Sequence, residues 1–386
     1  MLTATLACLA VGVVGPRDVS DKLAELVEQH KVPALSGVVI QGDTIIMEGV
    51  AGVRANGQDE KATIDDLWHL GSCTKAMTAT LAAIEVEQGR LSWDTKLFDI
   101  FPKLKQLPED QVKPGWSAVT LSQLCTNSSG VPGDLSADGL WSKLWSTNEP
   151  PAEARRMLLA GVLKTEPRFE PGTAFEYANA GFAIAGAMIE RVEGVPWESG
   201  VQQKLFTPLG IQSAGFGAPG VPGAVTQPWG HGSNGTAMEP KKEADNPMAI
   251  APAGCVHMTI QDWSKFVALH LQGDIANPNR VTRLLKAETF DKLHTPVHQS
   301  YAAGWRVDDR GWADGDDEDK KGRVLTHAGS NTMWFCVTWI APERDFAVLV
   351  CCNQGGDVAA KAADSAAWML IQEFLKSTGE KDAEKK

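Results

Sequence analysis

The sequence predicts an α/β protein of the α+β type: one antiparallel sheet assembled from strands near both ends of the chain, flanked by helices, with a mainly helical lobe inserted between them. Three observations carry this. β-rich runs flank Gly42-Asp43 at one end of the chain and recur over residues 305–307, 324–327, 334–340 and 346–352 at the other. Two strong helical stretches, 72–88 and 180–193, occupy the middle, each followed by glycine. An amphipathic stretch over 357–377 closes the chain after its last strand.

In chain order, residues 1–16 read as a signal peptide or an apolar N-terminal segment: no charge precedes Arg17, and the run is too short to span a bilayer. It lacks the basic residues that usually open a signal. Leu23, Leu26 and Val27 recur at helical spacing before Pro33, which predicts a helix over 19–30. The turn chemistry of Gly42-Asp43 predicts a hairpin. Residues 215–240, rich in Gly and Pro and without hydrophobic periodicity, read as a loop. The expected organisation is one catalytic domain over 17–376, with an α/β lobe of about 17–68 plus 255–376 and a helical lobe of about 69–254, and a charged tail over 377–386.

A chain of 386 residues with 43% hydrophobic content can bury a large core. Its formal net charge of −12, with no run of Lys and Arg interleaved with aromatics, argues against a nucleic-acid partner. No 20-residue apolar span in the body of the chain suggests stable membrane insertion. The seven cysteines form neither a CxxC pair nor a zinc spacing, and read mostly as small buried apolar residues. His294 and His298 are four apart, but Pro296 between them spoils a helical metal pair. The acidic run 313–322 lacks the glycine and glutamate of a calcium loop and reads as a hairpin tip. No metal and no cofactor is implied.

The chemistry concentrates in three short segments. In LGSCTKAMTA, Ser72 and Lys75 stand three apart at a helix start, on one face with Cβ atoms about 5–6 Å apart. A lysine held among apolar walls loses preference for its charged form and can take a proton from a neighbouring hydroxyl, while the helix N-terminus favours developing negative charge. About one S-x-x-K is expected by chance in a chain of this composition, and a helix-start serine with a solvated lysine gives the same pattern. The uncharged run after Lys75 points instead to a buried helix. Tyr177 and Asn179 form Y-x-N before the second helix, where a phenol can relay a proton and an amide can orient a partner. His327-Ala328-Gly329-Ser330 introduces a strand, where a glycine admits close approach and the Ser330 N–H suits an oxyanion.

In this order and separation, the three segments resemble the serine β-lactamase and penicillin-binding-protein-like superfamily, specifically its class C-like branch, which includes esterases and D-aminopeptidases. VTLSQLCTNSSGVPG, LFTPLGIQSAGFG and AGCVHMTIQDWSKF extend the likeness over about 32–374. The resemblance implies a β-lactamase/transpeptidase-like fold. It implies Ser72 as the acylated nucleophile, Lys75 as its base and Tyr177 as general acid/base, with Asn179 two residues on. His327, Ala328 and Gly329 match the Lys-Thr-Gly box, the N–H groups of Ser72 and Ser330 the oxyanion hole, and Asp134 falls near a substrate-contacting glutamine. Trp334, beside the box, is a candidate pocket wall, with Trp68 and Trp141 as further candidates.

The box histidine is a departure, because the lysine it replaces is a permanent cation facing a substrate carboxylate. That moves the expected substrate from lactams toward esters. The expected activity is a serine hydrolase acting on a small ester, short amide or D-amino-acid peptide. The alternatives are a D-aminopeptidase, a D-alanyl carboxypeptidase, a weak β-lactamase, or a catalytically silent binding member of the fold. Which of Lys75 and Tyr177 takes the first proton stays open. The expected location is secreted or periplasmic, or cytoplasmic if the apolar start is not a signal.

Overall fold

The computed structural model describes residues 15–315 and 322–379. The signal reading of 1–16, the acidic run 313–322 and the charged tail therefore fall largely outside the described residues.

Seven strands form the main sheet: β1 (Arg17–Asp18), β2 (Ala34–Gln41), β3 (Thr44–Gly52), β9 (Arg306–Asp309), β10 (Arg323–Ser330), β11 (Phe335–Ala341) and β12 (Phe346–Cys352). Their order is β1-β3-β2-β12-β11-β10-β9, so the first and last parts of the chain meet where β2 pairs with β12. All pairings are antiparallel except one: the two-residue edge strand β1 runs parallel to β3, so the sheet is mixed rather than purely antiparallel.

Both faces of the sheet are covered. Helix α1 (Ser20–His30) and the closing helix, Gly356–Ser377, lie on one face, where Leu23, Val39, Val348, Leu370 and Phe374 share a core. The closing helix turns a stripe of Ala359, Ala362, Ala363, Ala366 and Ala367 inward, and small side chains at this spacing let the helix sit close to the strands. Val38, Ile40 and Leu349 point the other way into the larger core, as the period of two requires. Each such fully buried aliphatic or aromatic side chain contributes about 1.5–3 kcal/mol relative to exposure.

The larger core is built around α2 (Thr74–Glu87), α3 (Pro151–Val162), α4 (Asn179–Glu193) and α5 (Ile260–Gly273). Helix α2 is buried from Thr74 through Glu85, including Lys75, which explains its lack of an amphipathic pattern. Its polar side chains are satisfied internally: the Thr78 hydroxyl donates to Pro252 O at 2.6 Å and the Thr80 hydroxyl to Ala76 O at 2.7 Å.

Two features differ from the expected loops. A second, three-stranded sheet joins β4 (Leu67–His69), β8 (Val256–Thr259) and β5 (Gly215–Phe216). The Gly- and Pro-rich stretch also holds a small ribbon of β6 (Gly230–His231) and β7 (Ala237–Met238). These strands are two to four residues long, too short to show alternation. Among the described residues, no helix is long and apolar enough to cross a membrane.

Candidate active site

The 3₁₀ turn Gly71–Cys73 links β4 to α2 and lies against β10. Two glycines allow that approach. Gly71 has φ 46°, and a Cβ there would stand 2.4 Å from Ser330 N; a Cβ on Gly329 would stand 2.0 Å from Leu70 O. Ser72 is thereby held at the seam between the helical layer and the sheet, half-buried.

Lys75 is fully buried, with Nζ 3.1 Å from Ser72 Oγ, 2.7 Å from Asn179 Oδ1 and 2.9 Å from Ala253 O. Nζ also lies 4.6 Å from the centroid of the Tyr177 ring and 5.7 Å from that of Phe182. Burial pushes the ammonium down to about 7, only partly opposed by the Cys73 and Cys255 thiols. Asn179 is the first residue of α4, so the helix start fixes the amide against the amine.

Tyr177 is 38% exposed as a residue, yet burial of its hydroxyl end raises the phenol above its ordinary range, only partly opposed by the neighbouring Ser72 hydroxyl. The structure thus brings Ser72, Lys75, Tyr177 and Asn179 into one connected cluster.

His327, only 6% exposed, turns inward, its ring centroid 6.3 Å from that of Tyr177. Gly329 is buried opposite Cys336 in the β10–β11 register, while Ala328 and Ser330 face outward. The outward side chain of the box is thus a methyl group. Ser330 Oγ accepts from Thr332 N at 3.0 Å, and Asn331 ties the strand end to Asp245 at 3.1 Å.

Four expected contacts stand differently. Trp334 is 1% exposed and packs edge-on against Trp68, itself fully buried, with ring centroids 6.2 Å apart. Neither ring offers a face to a substrate. Trp141 packs edge-on against Trp145 beside the core. Asp134 is exposed and accepts from Ser136 N and Oγ at 2.8 and 2.7 Å, closing a local turn. Its neighbour Gly133 rests against the Tyr177 carbonyl, so Asp134 sits toward the rim and not in the cluster.

Sequence reasoning passed over three participants. Tyr301 is buried with its phenol 3.2 Å from His327 Nε2, Asn127 Oδ1 accepts from Ala178 N at 3.1 Å, and Ala253 acts only through its carbonyl. The available signal was that Tyr301 is the second of only two tyrosines, the first being Tyr177. His294 is buried, 2.8 Å from both Asp274 and His270, and belongs to a polar chain in the core. All six described cysteines are buried free thiols.

A sheet built from both termini, an inserted helical layer and a Ser-Lys-Tyr cluster at their seam define a hydrolase of the serine β-lactamase superfamily. The chain belongs to the β-lactamase family, whose model matches residues 19–373. It is 29% identical over 296 residues to Penicillin-binding protein 4 of Amycolatopsis lactamdurans, covering 74% of this chain and 72% of that one. It is 33% identical over 174 residues to Lovastatin esterase of Penicillium rubens, covering 42% of each. In fold it matches the octameric penicillin-binding protein homologue from Pyrococcus abyssi, with a TM-score of 0.69 at 21% identity, over 93% of this chain and 76% of that one.

Proposed function

We propose that this chain is a serine hydrolase that forms an acyl-enzyme through Ser72 and hydrolyses a carboxylic ester or short amide, with residues 17–376 acting as one catalytic domain. The observation that carries it is the placement of Lys75. A neutral amine has two N–H donors and one lone pair; Asn179 Oδ1 and Ala253 O accept the donors, which leaves the lone pair facing Ser72 Oγ at 3.1 Å. An amine pushed down to about 7 is neutral in a large fraction at physiological pH, whereas a phenol raised above its usual range keeps its proton. Lys75 is then the acylation base and Tyr177 a proton carrier.

In this reading the Ser72 proton passes to Lys75 as Oγ bonds the substrate carbonyl carbon, and the N–H groups of Ser72 and Ser330 hold the oxyanion. The close approach of Gly71 to Ser330 supports pairing these two donors. Collapse breaks the bond to the leaving group, which takes the proton from Lys75 by way of the Tyr177 phenol. Water then attacks the acyl-enzyme, Lys75 takes its proton, and Ser72 departs with that proton restored. The Lovastatin esterase among the relatives supports an ester substrate, and the buried, uncharged side chain that His327 offers in place of a lysine favours the same class.

Incubation with a fluorophosphonate probe is expected to label Ser72, and Ser72→Ala to abolish the label. An unlabelled wild-type protein would sink the hydrolase reading. Turnover of a short-chain nitrophenyl ester is expected to exceed that of a D-alanyl peptide or a chromogenic cephalosporin, and the reverse order would favour the peptidase or lactamase alternative. Export rests on the uncharged apolar run of residues 1–16. N-terminal sequencing of the mature protein tests it, and an uncleaved start in the cytoplasm would overturn it.

A further inference from the structure

We propose that Tyr301 is a positioning residue that holds His327 as its neutral Nδ1–H tautomer, removes a positive charge from the strand side of the cleft, and so selects substrates that are uncharged there. The proposal rests on the Ser72 hydrolase reading for its kinetic consequence, but not for its structural one.

The tautomer follows from two contacts. His327 Nδ1 lies 2.6 Å from Ala328 O, and a carbonyl can only accept, so Nδ1 carries the hydrogen. His327 Nε2 lies 3.2 Å from the Tyr301 phenol oxygen. With its proton on Nδ1, a neutral imidazole has only a lone pair at Nε2, so the phenol donates to it.

Tyr301 is well placed to keep that role. It is 3% exposed, and burial raises its phenol well above the ordinary range, so the proton stays on oxygen. Asn127, whose side-chain oxygen accepts from Ala178 N beside Tyr177, opposes that rise only in part. The Tyr301 ring is braced by Phe175, with centroids 5.4 Å apart, and stands perpendicular to the Tyr177 ring at 6.3 Å.

A second proton on His327 would have to occupy the place where the phenol hydrogen already points. Its charge would also add to that of Lys75 when protonated, since Lys75 Nζ and the His327 ring lie against the same Tyr177 ring. The strand side therefore presents a neutral, enclosed imidazole beside Tyr177. A substrate carboxylate placed there would lose its water without gaining a cation, which is unfavourable. An uncharged acyl or leaving group loses nothing comparable. The substrate class is thus an ester that carries no anion on the side facing β10.

The tautomer is read by two-bond ¹⁵N–¹H correlation of the histidine rings at neutral pH, with His327→Gln to assign the signal. A neutral Nδ1–H ring is expected in the wild type, and an Nε2–H or doubly protonated ring overturns the proposal. Tyr301→Phe keeps the ring and removes the hydroxyl. Its kcat/KM is compared on two esters that differ only by a carboxylate against its methyl ester. The preference for the neutral ester is expected to fall about tenfold, the equivalent of one hydrogen bond. An unchanged preference with retained fluorophosphonate labelling overturns this proposal alone, whereas absent labelling in the wild type defeats the hydrolase reading and leaves the tautomer measurement standing. If Tyr301→Phe does not fold, the wild-type spectrum decides.

Discussion

Asn179 Oδ1 stands 2.7 Å from Lys75 Nζ, so the start of α4 holds the amine of α2 without neutralising it. An amide is the side chain that accepts from an amine at this distance while adding no charge. Desolvation then dominates, and Lys75 is pushed down to about 7. With Lys75 as the proposed base its neutral form is the active one, and kcat/KM is expected to rise with pH through about 7 and then level. Asn179→Asp places a carboxylate against the ammonium and should move that limb upward by about 1–3 pH units. A pH profile of the two proteins checks this, and an unmoved limb would exclude Lys75 as the titrating base. The same shift has a stability consequence. Between about pH 7 and its ordinary 10.5, Lys75 binds a proton when unfolded and not when folded, so its contribution to stability increases with pH across that window.

Gly329→Ala is expected to abolish activity while the sheet persists. The added Cβ would stand 2.0 Å from Leu70 O and 3.0 Å from Cys73 N, which pushes the Ser72 turn away from β10. Displacements of about 1 Å at a reacting atom cost about a hundredfold in rate. Fluorophosphonate labelling should fall in step, with far-ultraviolet circular dichroism unchanged. Wild-type labelling would show that the turn tolerates the shift.

Arg155 is fully buried and contacts Glu190, both carboxylate oxygens of Glu198 at 3.0 and 2.8 Å, and Met248 O at 3.2 Å. Removing it leaves two partly buried carboxylates facing each other without their cation. Arg155→Ala should therefore destabilise the fold by about 3–5 kcal/mol, measured by urea denaturation. A loss under 1 kcal/mol would mean that water replaces the guanidinium.

Asp274 is buried 2.8 Å from His294 Nδ1 and 3.2 Å from the Arg323 guanidinium. Burial opposes its ionisation, but these partners prevail and hold the carboxyl at about 2 against an ordinary 3.8. The stabilisation is present above pH 3.8 and is lost as pH falls through about 2. It amounts to about 2 kcal/mol. Asp274→Asn should show a flatter acid limb in stability between those values, and an unchanged limb would assign acid sensitivity elsewhere.

The main helices and the outer strands were legible because their burial follows period: alternating Val38, Val39 and Ile40 reach both faces of the sheet, and α2 lacks an amphipathic face because it is buried from Thr74 through Glu85. The strands β4, β5 and β8 were not, since elements of two to four residues leave no periodic trace. Ser72, Lys75, Tyr177 and Asn179 stood out by residue type and order. Tyr301 and Asn127 did not, because a side chain that acts on a histidine from a distant loop has no local spacing to announce it. Trp334 and Trp68 misled for the opposite reason: their neighbours in sequence belong to the cleft, but their rings point into the core.

The pairing of β2 with β12 joins residues 34–41 to residues 346–352, and the Ser72 turn rests on a strand that begins only at Arg323. During synthesis, Ser72, Lys75 and Tyr177 are therefore all made long before the surface that aligns them. Contacts of such separation form late, after their loop-closure entropy has been met. Activity should accordingly be the last property a nascent or refolding chain acquires, appearing with the completed sheet and not with the helices. A fragment ending before β10 would carry Ser72, Lys75 and Tyr177 and is expected to remain silent.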